Sequence, residues 1–184
     1  MKYINDIPVL LILITLLVYA LIRLIQKKKH VKIYREIINM LLIAYVECLL
    51  YLTLFPANGT STPSLASINL IPFRTINLYI NFQGDFSLQI INLLGNIVVF
   101  IPIGIFIVLF IKKATFIHSL LIGIGSTLFI EVMQLVLSIN GVISRSFDVD
   151  DLLLNTIGVL IGYFMAILLR AYLKRADSRI RTLK

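Results

Sequence analysis

The sequence predicts an all-α polytopic membrane protein: five transmembrane helices and an outer re-entrant or amphipathic segment. Three observations carry this. Of the 184 residues, 59% are hydrophobic and the mean hydropathy is +0.98, against roughly 45–50% apolar residues in a soluble domain. Stretches at about 7–25, 37–55, 88–111, 115–138 and 152–170 are nearly free of charge. Each approaches or exceeds the ~20 apolar residues that a helix needs to cross the hydrocarbon core. The net charge of +8 is sorted by side: Lys27, Lys28, Lys29, Lys32 and Arg35 fill the first connection, Lys112 and Lys113 the third, and Arg170, Lys174, Arg175, Arg179, Arg181 and Lys184 the tail. The opposite faces hold only Lys2, Arg74 and Arg145.

Positive residues gather on the cytoplasmic side, so the N-terminus is expected outside and the C-terminus cytoplasmic, a parity that five crossings satisfy. The basic balance is thus a topology signal with some attraction for anionic lipid heads, and nucleic acid is excluded as a partner. The chain reads as one membrane domain, 1–184.

The first helix (about 7–25) has Thr15 as its central polar residue and reads as a retained, lipid-facing anchor, because its charge cluster follows the apolar run and no small-residue cleavage site comes after it. The second (about 37–55) carries Glu47 near its centre, where a carboxylate normally faces a bundle, and Cys48, read as a small packing residue. Pro56 and Gly59 end it. The connection 56–87 stays apolar through "SINLIPFRTINLYINF" (67–82), but Pro72 argues against a span, which leaves a re-entrant or interfacial element. Its Asn58-Gly59-Thr60 triplet is a glycosylation acceptor only on paper.

The third helix (about 88–111) places Asn92 and Asn96 on one face, four residues apart, and Pro102 within its length, where a kink is expected. In the fourth (about 115–138), Thr127, Glu131, Gln134 and Ser138 fall within about 60° of one another on a 3.6-residue helix. The fifth begins near Asp148. Asp148, Asp151 and Asn155 share one of its faces while Asp150 points elsewhere. Gly158 and Gly162 offer a close-packing surface to a neighbour in the bundle or in another copy.

The alternation of directions puts Asn92, Asn96, Glu131, Gln134, Asp148, Asp151 and Asn155 all in the outer leaflet. A polar cavity open to the outside, roofed by 56–87, is therefore expected. Plainer roles fit some of these residues. Asp148 and Asp151 suit a helix N-cap and first turn, with Arg145 as an ion-pair partner. The asparagines suit interhelical bonding. Glu131 in apolar surroundings must be protonated, paired or hydrated.

Four motifs appear in order: "INLIPF" (68–73), "NLLGNIVVFIPIG" (92–104), "EVMQ" (131–134) and "RSFDVDDLLLNTIG" (145–158). Together they resemble the signature of the VanZ-like family of bacterial membrane proteins, over about 65–165. The resemblance implies a role at the Gram-positive cell envelope and, from the family's namesake, low-level resistance to teicoplanin, a glycopeptide antibiotic.

No Gly-x-Ser-x-Gly, P-loop or histidine-rich metal motif is present, and His30 and His118 both fall on the inner side. The residues then favour a non-catalytic protein that binds or handles an envelope lipid, a lipid-linked wall precursor or a teicoplanin-like antibiotic. Arg74 and Arg145 would meet phosphate or carboxylate. Asn92, Asn96, Glu131, Gln134 and Asn155 would bond the sugar or peptide part. The alternatives are a membrane enzyme using Glu131 or Asp151 as acid and base, and a lipid scramblase. No cofactor is required, although Asp148 and Asp151 would suffice for a divalent cation bridging to a lipid phosphate.

The orientation has a direct test. Alkaline phosphatase inserted in the 139–145 connection is expected to be active, and inactive when fused after Lys184. The reverse pattern would invert the assignment.

Overall fold

The computed structural model describes residues 2–25, 32–54, 68–84, 86–143 and 145–182. The basic cluster Lys27, Lys28 and Lys29, together with His30, Pro56, the Asn58-Gly59-Thr60 triplet and Lys184, lies outside the described residues. The architecture is helical, with helices α1 (Lys2–Ile25), α2 (Ile33–Leu54), α3 (Arg74–Ile80), α4 (Phe86–Phe110), α5 (Phe116–Ile139) and α6 (Val149–Thr182). One addition to the all-α expectation is a two-residue parallel pairing of β1 (Ile68–Asn69) with β2 (Phe147–Asp148). Helices α2, α4, α5 and α6 contain segments long and apolar enough to cross a membrane, while Val9–Ile25 of α1 is a shorter apolar stretch. The chain divides into two compact units, Met1–Gly59 and Thr60–Lys184.

In the first unit α1 packs on α2 through more than apolar contact. Arg23 pairs with Glu36, its Nε donating to Oε2 at 2.8 Å. The Tyr19 hydroxyl donates to the same oxygen at 2.6 Å and accepts from Asn39 Nδ2 at 3.0 Å. The lipid-facing anchor expected from the sequence therefore has a polar seam at the end that joins α2. Cys48 is exposed rather than packed. Glu47 is half-buried, and its Oε2 accepts no hydrogen bond from the described residues.

In the second unit α5 packs largely inside out. The buried residues of α5 are Ser119, Gly123, Thr127, Ile130, Glu131, Gln134 and Ser138, so the small and polar stripe faces the protein. Leu121, Phe129, Val132 and Val136 stay exposed. With lipid as solvent, apolar side chains gain little by leaving it. Small residues and interhelical hydrogen bonds decide which faces meet.

The closest meeting is between α4 and α6. A Cβ built on Gly158 would fall on the carbonyl oxygen of Ile97, one on Gly162 on that of Ile101, and one on Gly104 on that of Val159, each inside 3.0 Å. The two glycines of α6 thus pack within the chain, against α4. At the far end Arg170 Nη2 donates to the Val108 carbonyl at 3.3 Å, a cation at the C-terminal end of α4 where the helix dipole favours one. α6 then runs to Thr182, past the boundary near 170 set by hydropathy, because the tail has no Gly or Pro to stop a helix. At α5 the Thr115 hydroxyl caps the start by accepting from the His118 amide at 3.3 Å.

Gly158→Ala and Gly162→Ala are each expected to destabilise the protein by about 1–3 kcal/mol, the cost of overpacking. Gly125, with nothing near a built Cβ, should tolerate alanine or gain up to about 1 kcal/mol. Thermal loss of the monodisperse detergent-solubilised protein measures all three.

Candidate functional site

The polar residues converge where α4 begins, α5 ends and α6 begins. α3 lies across this end. It carries its own turn, in which Phe73 adopts left-handed backbone (φ 64°), a conformation uncommon for a bulky residue and maintained only when surroundings enforce it. Asp150 enforces it. Its Oδ1 accepts from the Phe73 amide at 2.5 Å, and its Oδ2 from the amides of Thr75 at 2.7 Å and Ile76 at 3.1 Å. The carboxylate is 0% exposed. Phe73 provides no side-chain cap for α3, so Asp150 does so from another element. The expectation that Asp150 points away from the functional face holds for α6 alone. In the folded chain α3 is what it points at.

Asp148 does a parallel job. It precedes α6, and its Oδ1 accepts from the Asp150 amide at 2.9 Å, the N-cap role expected for it. The same oxygen accepts from Asn69 Nδ2 at 3.0 Å, and Oδ2 from the Thr75 hydroxyl at 2.5 Å. Its own amide donates to Glu131 Oε2 at 2.9 Å. Glu131 is 1% exposed and thus ties α5 to the β2–α6 junction. Asn155 Nδ2 donates to the Thr127 hydroxyl at 2.9 Å, the interhelical bond expected of it. Its Oδ1 is buried and accepts nothing from the described residues.

Asn96 Nδ2 donates to Asp151 Oδ1 at 2.5 Å, joining α4 to α6. Asp151 is half-buried, as are Asn92, Asn96 and Arg145. Arg145 forms no ion pair with a described residue, yet its charge acts on Tyr79, Glu131 and Asp151. Tyr79 is one of the residues that the sequence did not single out. It stands one turn after Thr75, so both project from one side of α3. Burial and then the charge of Asp151 hold its phenol above the ordinary range, Arg145 acts in the opposite sense, and Asp148 adds to the rise. The hydroxyl stays protonated and available as a donor.

The structure thus brings together Asn96, Glu131, Arg145, Asp148, Asp151 and Asn155. Gln134 is 5% exposed on the same stripe of α5, and both it and Asn92 are engaged. Arg74 is not in this group. It is exposed on another side of α3. Both oxygens of Asp148 are occupied by neutral donors. Among the described residues no three or more His, Cys, Asp or Glu side chains are grouped to hold a metal ion. Asn69, Thr75 and Asp150 were also missed. The only sequence signal was the unexplained second aspartate in Asp148-Val149-Asp150-Asp151.

A family model described as VanZ/LLP1 matches residues 42–170, well over half of the chain. No curated protein and no solved structure matches it.

If Asp150 holds α3 in place, Asp150→Ala should raise deuterium uptake in peptides covering 68–82 by about 10- to 100-fold in rate. This corresponds to the ~1.5–3 kcal/mol of a hydrogen bond to a charged group. Asp151→Asn should leave that protection unchanged. Unaltered uptake in Asp150→Ala would remove the capping role.

Proposed function

The chain belongs to the VanZ-like family and is a multi-pass membrane protein of the cell envelope; from this and from the geometry around α3, we propose that it binds an envelope amphiphile without transforming it. The observation that carries the proposal is the two-sidedness of α3. Thr75 and Tyr79 face the polar cluster, while Leu78 next to them remains 60% exposed. A ligand with a polar head and an apolar tail matches both environments at once.

In this reading Arg145 meets a phosphate or carboxylate, since the residue is half-buried without an ion-pair partner among the described residues. Asp151, Asn96 and Tyr79 provide hydrogen bonds for a sugar or peptide portion, with Asn92 and Gln134 beside them. Glu131, Asp148 and Asn155 hold the walls. The ligand classes that fit are an envelope lipid, a lipid-linked wall precursor and a lipoglycopeptide such as teicoplanin. Low-level resistance would follow from sequestering the antibiotic or its target. The site faces the outside in the orientation proposed from the charge distribution, with the N-terminus out and the C-terminus in the cytoplasm.

A second reading has support from the cluster itself. Glu131 is sealed from water and Asp151 is half-buried, and the charge of Asp151 reaches the protonated Tyr79, an arrangement suited to acid–base chemistry on a lipid-linked substrate.

Teicoplanin susceptibility in a sensitive Gram-positive host separates these ideas, with variants compared at equal membrane abundance. The wild-type chain is expected to raise the inhibitory concentration. Asp151→Asn and Glu131→Gln are expected to return it to that of cells without the protein. Variants that protect as well as the wild type would remove Asp151 from the binding groups and Glu131 from the walls that the site needs. No protection by the wild type would remove the antibiotic from the ligand classes, and a modified product from lipid-linked substrates would favour the enzyme.

A further inference from the structure

The side of α3 away from Thr75 and Tyr79 has a surface that the polar cluster does not use. Together with the turn before it, that side forms a shallow open groove of about 680 Å³, lined by Ile71, Pro72, Phe73 and Ile80 among others, with Arg74 and Asn77 as its polar groups. Ile71, Phe73 and Ile80 are each about 60% exposed. Arg74 is the one charged residue among those lining it, and its guanidinium forms no ion pair with a described residue.

We propose that this groove is a binding site for one anionic phospholipid, its phosphate on Arg74 and an acyl chain along Ile71, Phe73 and Ile80. Three features select this occupant. The charge is complementary: one cation at the rim, apolar surface below it and no carboxylate among the lining residues. The depth is right. α3 is bonded to the first residues of α6 and precedes the Gln89–Phe110 segment, so it lies at the level of the helix ends, where head groups sit. The volume falls within the roughly 300–1,000 Å³ of small-ligand sites.

The groove is also pre-formed. Its backbone at Phe73 and Ile76 is fixed by the buried Asp150 carboxylate, so little ordering is needed when a lipid arrives. The proposal stands apart from the function assigned to the polar cluster, because that cluster uses the opposite side of α3.

The test places a bimane fluorophore at Asn77→Cys in a Cys48→Ser background, which leaves one thiol in the chain. The full-length protein is reconstituted in phosphatidylcholine vesicles containing brominated phosphatidylglycerol or, at the same mole fraction, brominated phosphatidylcholine. One cationic side chain at an interface is expected to enrich the anionic lipid roughly two- to fivefold, and quenching by its bromines should rise accordingly. Arg74→Gln should abolish that preference. A label at Leu94→Cys, on the exposed surface of α4, should show none in either background.

Equal quenching by the two lipids at position 77 would overturn the proposal. So would a preference that survives Arg74→Gln. A label at 77 shielded from both lipids would overturn it too, since another protein surface would then cover the groove.

Discussion

Everything at the polar end of the second unit depends on one buried carboxylate. Asp150 has no access to solvent and is held by three backbone amides of a segment more than seventy residues earlier. A buried charge of this kind is tolerable only when its lone pairs are filled. The amides of a helix start are well suited to this, because they are unpaired within the helix and carry its positive dipole end. The dependence runs both ways. Without α3 the carboxylate would be an uncompensated charge, and without the carboxylate the left-handed turn at Phe73 would have no partner to maintain it.

Once α3 is fixed, the remaining polar groups fall into two sets. Asp148, Glu131 and Asn155 are absorbed by the fold, each bonded to a neighbouring element and each nearly sealed from solvent. Asp151, Asn96, Arg145 and Tyr79 keep some exposure and gather under the inner side of α3. This division explains how a helix can start with three aspartates beside a membrane. Two of them are structural acceptors for α3 and for the turn into α6, and the third stays half-buried. In the proposed function the half-buried set meets the ligand and the sealed set holds it in place.

The helices beneath follow the logic of a lipid solvent. The residues that meet across α4 and α6 are Gly104, Gly158 and Gly162 against carbonyl oxygens, and those that turn inward on α5 are, Ile130 apart, serine, threonine, glycine and two acid or amide side chains. A soluble bundle would place leucines there. Here Leu94, Leu121 and Leu128 face outward, and close backbone approach joins the burial of Phe100, Val108, Ile130, Leu154 and Val159 as a source of cohesion. Such tight contacts leave α4 and α6 little freedom to slide, which gives the polar end a rigid floor.

Much of this was legible in the chain. Hydropathy located the long helices to within a few residues except at the ends of α1, α2 and α6, since length and apolar content are set by the bilayer and not by neighbouring chain segments. Four-residue spacing identified the stripes of α4, α5 and α6, because residues on one helix share a face wherever that helix lies. What helical periodicity could not reveal was contact between elements. Asp150 looked like the odd acid out on its own helix, and Tyr79 like one more aromatic in an apolar run. Arg74 was grouped with Arg145 because both lie on the same expected side of the membrane, yet α3 presents Arg74 away from the cluster. Sequence alone determined the membrane class, the helices and their polar faces, all local consequences of pattern in a lipid solvent. Only the tertiary structure decided which acid holds which backbone and which side of α3 meets the polar cluster, because those choices rest on hydrogen bonds between residues far apart in the chain.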